Sequence, residues 1–163
     1  MSYQSAAFTL RVAKGLANGV AQEVDRLPSA EPAKVKQIIS NLEKDLECAI
    51  SLCDKALKAD TNVKLEDGTT PVWVKANVLF QKGRIRTCRS DFKEAVKYFE
   101  ESIGYLPDQA TYYNIGSCFL EMKGLFRDKT EDAVKAFEKC VELDPESELA
   151  LQAGKALARL KKL

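Results

Sequence analysis

The densest group of chemically capable side chains is the segment KGRIRTCR, where Lys82, Arg86 and Arg89 fall at i, i+4 and i+7 of one helical face and Arg84 stands to the side. Three guanidinium groups and an ammonium so arranged can receive a phosphate, an acidic peptide or the edge of an RNA. Nearby acids such as Asp91 and Glu94, together with the following helix, can equally neutralise them, and no aromatic side chains interleave to stack on bases. Cys88 lies beside these arginines, whose charge would favour a reactive thiolate; the plainer reading is a half-buried, inert thiol.

The remaining inventory closes off chemistry more than it opens it. The chain has no histidine, so the commonest general base and transition-metal ligand are missing, as is every Ser-His or Cys-His arrangement. Its five cysteines, Cys48, Cys53, Cys88, Cys118 and Cys140, are odd in number and show no C-x-x-C spacing, which points to reduced thiols rather than a disulfide framework or zinc site. No carboxylate pair or glycine-rich phosphate loop stands out. The expectation is a non-enzyme without metal or cofactor. A net charge of +1 gives no general attraction to phosphate backbones, so nucleic acid is not expected as the main ligand. No stretch approaches 18 uncharged apolar residues, and Arg11 and Lys14 fall where a signal peptide would need its apolar core. This reads as a cytoplasmic protein that does not enter the membrane.

The elements that must position these residues are helical. Ala, Glu, Lys, Leu and Arg make up about 47% of the 163 residues. A stripe of Tyr3, Ala6, Leu10, Ala13, Ala17, Val20, Val24 and Leu27 alternates steps of three and four, then Pro28 and Pro32 bracket a turn. A second stripe follows at Val35, Ile39, Leu42, Leu46, Ala49, Cys53 and Ala56. Together they predict a long antiparallel hairpin over 1–59, with the small Ala13, Gly15, Ala17 and Gly19 allowing close approach and the hairpin offering a surface for a homodimer. Residues 60–71, DTNVKLEDGTTP, read as a loop.

Beyond that loop the sequence repeats itself. Ala95, Phe99, Ser102 and Pro107 recur as Ala133, Phe137, Cys140 and Pro145, each shifted by 38 residues. Trp73, Ala76, Asn77 and Phe80 correspond to Tyr112, Ile115, Gly116 and Phe119 at a shift of 39, and a partial third copy starts with Ala150, Ala153, Gly154 and Leu157. YYNIGSCF followed by DAVKAFEKCVELDP resembles the tetratricopeptide repeat, with its W-x2-L-G-x2-Y first helix, A-x3-F second helix and closing Pro. The units are longer than usual, which also makes them similar to Sel1-type repeats. In this register each first helix or its turn is longer by about five or six residues than in the usual unit of about 34. An alternative register sets Leu79 and Gly83 at the Trp and Gly positions of the first unit; it restores the usual length but places Arg86 where an aromatic belongs. The Trp73 register is preferred because it treats both units alike.

The expected fold is therefore all-α: the hairpin, then a right-handed α-solenoid with units 72–107 and 108–145 and a capping half-repeat 146–163, about seven helices in one continuous domain. In the cap, Leu157 and Leu160 face inward, with Lys161 and Lys162 on a polar outer side. The resemblance implies protein recognition, with first helices lining a concave groove. Carried over residue by residue, the groove candidates are Val74, Lys75, Val78 and Lys82, then Tyr113, Asn114 and Ser117, then Leu151, Gln152, Lys155 and Arg159. They suit a peptide with carboxylates and one apolar anchor. The carboxylate clamp of repeat proteins that grip chaperone tails is not matched. Asn114 has its counterpart, but Val78, Glu148 and Gln152 replace the other amide and cations.

Overall fold

A computed structural model describes residues 3–122 and 129–161, the side chains of Tyr3 and Gln4 excepted. Among the described residues there are seven α-helices and no strands. They are α1 (Tyr3–Arg26), α2 (Pro32–Ala59), α3 (Pro71–Cys88), α4 (Phe92–Tyr105), α5 (Gln109–Met122), α6 (Lys129–Leu143) and α7 (Glu148–Leu160), with a 3-10 turn at Leu27–Ser29. Consecutive helices pack in pairs, and α1 reaches α3 as well as α2. The all-α solenoid expected from the repeats is the fold observed.

Periodicity explains the hairpin. Ala6, Leu10, Ala13, Ala17, Val20, Val24 and Leu27 are all buried, as are Ile39, Leu42, Leu46, Ala49, Cys53 and Ala56 on α2. Tyr3, which opens the first stripe, has its side chain outside the described residues. The expected role of the glycines is not borne out: Ala13 and Ala17 face the seam, while a Cβ on Gly15 or Gly19 would meet nothing within 4 Å. These two glycines lie on the open side of α1.

The segment after α2 is better integrated than its polar composition suggests. Val63 and Leu65 are buried in the hairpin core. Gly68 takes φ +87°, a left-handed conformation open to glycine, and its N–H donates to the Leu65 carbonyl. Lys14 of α1 pairs with Asp67, which also accepts from the Thr69 N–H. Local caps then start the later helices: Thr70 Oγ1 accepts from the Trp73 N–H, Asp108 Oδ2 from the Thr111 N–H and Ser147 Oγ from the Ala150 N–H.

The contacts of two glycines settle the repeat register. A Cβ on Gly83 would lie 2.4 Å from the Phe99 ring, and one on Gly116 would lie 2.8 Å from the Phe137 ring. Gly83 is thus the counterpart of Gly116, and Leu79, not Trp73, is the counterpart of Tyr112. The preferred register is overturned because a fully buried phenylalanine can sit against the preceding helix only where that helix lacks a Cβ. The first unit therefore has the usual spacing, and Trp73 belongs to an N-terminal extension of α3, which runs 18 residues against 14 for α5. The second unit alone is longer, between Gly116 and Ala133.

The cysteines are free. Burial pushes the Cys53 thiol from 9.0 up to about 11, and Cys118 and Cys140 shift the same way for the same reason. An unfolded chain releases these protons first, so stability is flat below the unfolded value and falls as pH rises from about 9 to about 11, with a slope from Cys53 of at most about 1.4 kcal/mol per pH unit. Urea unfolding of wild type and Cys53→Ala across this window checks it: the gap between the two should narrow as pH rises.

Candidate protein-binding groove

The structure divides the groove candidates into two groups. Those of α3 are not on an open face. Val74 and Val78 are fully buried against the hairpin. The Lys75 ammonium lies 2.6 Å from Asp54 of α2, and this hydrogen bond raises its pKa. Lys82 sits over the Tyr98 ring of α4, 5.7 Å from its centroid. Val78 cannot line a groove, and Lys75 and Lys82 are held by neighbouring helices. All three were assigned through the register that Gly83 overturns.

The candidates on α5 and α7 converge with two exceptions, Asn114 and Leu151, which do not line the shared cleft. Tyr113, Ser117, Gln152 and Lys155 share a cleft of about 330 Å³ with Leu120, Phe137 and Arg159. The half-buried Tyr113 ring lies in the cleft and meets the buried Phe137 ring edge to face, 5.6 Å between centroids. Ser117 Oγ donates to the Tyr113 carbonyl, and Asn114 Nδ2 donates to the Ala110 carbonyl at 2.7 Å. Gln152 Nε2 donates to Glu148 at 3.4 Å. Lys155 and Arg159 make no ion pair among the described residues, and Glu121 is the carboxylate lining the same cleft. Leu151 is exposed on the far side of α7, beside Gly154. Leu157 and Leu160 pack inward as expected of a cap. Lys161 reaches Glu138, while Lys162 lies outside the described residues.

The basic patch is split by the fold. Arg84 pairs with Asp25 of α1 and also donates to Gln81. Arg86 pairs with Glu43 of α2 at 2.9 Å. Both side chains are about three-quarters covered, so they act as clamps between the hairpin and α3. Arg89 is exposed at the end of that helix. Neutralisation was foreseeable, but its source was not, because Asp25 and Glu43 lie far from Arg84 and Arg86 in sequence. Cys88 is exposed rather than half-buried; desolvation still raises its thiol and Arg84 offsets this only in part, so the thiol is not activated.

Leu120 and Phe137 were not among the groove candidates. Phe137 is core, buried beneath Tyr113 at the edge of the cleft.

Stacked consecutive helix pairs define a helical-repeat architecture. The tetratricopeptide repeat model matches residues 110–147, covering α5, α6 and the turn into α7. That match and the seven helices among the described residues fit a TPR-like helical repeat protein. No curated protein matches the chain. Tetratricopeptide repeats generally mediate protein–protein interaction and are typically non-enzymatic scaffolds. No helix among the described residues is long and apolar enough to cross a membrane.

Proposed function

We propose that the chain is a non-catalytic cytoplasmic adaptor that holds a peptide segment of a partner protein in the cleft between α5 and α7. The carrying observation is the half-buried Tyr113 ring and Leu120 beside Lys155 and Arg159, two cations without an ion pair among the described residues. An apolar anchor would cover Tyr113 and Leu120, and a carboxylate would meet the cations. The test is a pull-down from cytoplasm with wild type and a Lys155→Glu/Arg159→Glu variant, followed by calorimetry on each captured protein. Both side chains are exposed, so the variant should melt close to wild type. Partners lost with the variant, or bound at least about tenfold more weakly (roughly 1.4 kcal/mol), support the reading. An unchanged set of partners would sink it.

A second reading is self-association through the hairpin, favoured by Phe8 and Val12 of α1, which are 66% and 40% exposed beside the open Gly15 and Gly19. Light scattering across a wide concentration range decides it. A dimer lost on Phe8→Glu supports this reading, and a monomer throughout excludes it.

A further inference from the structure

A second surface lies on the opposite side of α5. Helices α4 and α6 both pack on α5 and leave between them an open channel of about 660 Å³. Its apolar lining includes Ile115, Phe119 and Met122 of α5 and Ile103 of α4. These side chains are separate from Tyr113, Ser117 and Leu120, which face the cleft described above.

The rim of this channel is cationic. Lys93 and Lys97 stand i, i+4 on α4, Lys135 and Lys139 stand i, i+4 on α6, and Lys129 lies over the Phe119 ring, 5.2 Å from its centroid. Against these five amines the lining contributes two carboxylates, Glu100 and Asp132. Lys97, Lys135 and Lys139 pair with Glu94, Glu131 and Glu142 of their own helices. Lys129 pairs with Asp132, and Lys93 makes no ion pair among the described residues. Exposed pairs within one helix are weak and exchange readily for an incoming carboxylate. Like charges at i, i+4 repel along each wall, and a ligand carboxylate between them would relieve that repulsion.

We propose that this channel docks an acidic amphipathic helix of a protein partner. Its apolar stripe would cover Ile103, Tyr112 and Phe119, and its Asp or Glu side chains would meet the two lysine pairs. The amines of each pair belong to residues about 6 Å apart along their helix, the same rise that separates carboxylates at i, i+4 on a ligand helix. An apolar floor offers nothing to a sugar-phosphate backbone, which favours a peptide over a nucleic acid.

The experiment uses the full chain, isotopically labelled for amide NMR. The probe is a synthetic helix with Leu at i, i+3, i+4 and i+7 and Glu on both flanks; the control replaces each Glu with Lys. The Glu helix is expected to shift amides of α4, α6 and the channel side of α5 saturably, leaving α7 unmoved. Lys97→Glu/Lys135→Glu should weaken binding at least about tenfold, Lys155→Glu should not, and added salt should weaken it. Both lysines are exposed, and circular dichroism confirms that the variant folds. The proposal is overturned by no saturable shift, by equal binding of the Lys helix, by shifts confined to the α5–α7 cleft, or by tighter binding of single-stranded RNA.

Discussion

Truncating Phe99 or Phe137 to Ala is expected to destabilise the chain by about 3–5 kcal/mol each. Both rings are essentially inaccessible to water, and each fills the space between two helices of a pair. Phe99 packs under Gly83 and tilts against Phe80, 5.7 Å between centroids. Phe137 packs under Gly116 and against Tyr113. Neither helix of a pair can close the void, because the next pair is stacked on its far side. Urea unfolding should show the loss directly, and thermal unfolding should show a fall of about 6–20 °C. The two variants should differ in binding. Phe137 also lies beneath Tyr113 at the edge of the α5–α7 cleft, so its removal weakens partner binding in the folded protein, whereas removal of Phe99 spares that cleft. A loss below about 1 kcal/mol for either would contradict the packing described.

The second large effect comes from adding a single methyl group. Gly83→Ala puts a carbon 2.4 Å from a ring with no room to move, and Gly116→Ala does the same at 2.8 Å. Overpacking of this kind costs about 1–3 kcal/mol and outweighs the gain of about 0.5–1 kcal/mol that Ala normally brings to a helix. Gly154→Ala is the contrasting case, since nothing lies within 4 Å of its would-be Cβ in α7. It should stabilise by about 0.5–1 kcal/mol. Denaturant midpoints should therefore move in opposite directions for the same chemical change. A neutral Gly83→Ala would return Trp73 to the register of the first unit.

Much of the fold was legible because its signals are local. A stripe at steps of three and four must bury one face, and A-x3-F with a closing Pro recurs at a fixed interval. Where the reading failed, two patterns were locally equivalent. The Trp73 and Leu79 registers both offer an apolar residue at the right place; the second restores the usual length but puts Arg86 at an aromatic position, and only the contact of Gly83 with Phe99 decides between them. The groove candidates of α3 fell with that choice, while Tyr113, Ser117, Gln152, Lys155 and Arg159 of α5 and α7 share one cleft.

The sequence by itself determined that this chain is helical, that it repeats, and that it contains no histidine. Tertiary structure decided which of its charges are available. Lys75, Arg84 and Arg86 are held by Asp54, Asp25 and Glu43 of the hairpin, whereas Lys155 and Arg159 stand in a cleft beside the half-buried Tyr113 ring. The reason is physical. Helix periodicity is written in neighbours three and four residues apart, but an ion pair forms between whatever side chains packing brings within a few ångströms, and sequence separation does not limit that distance.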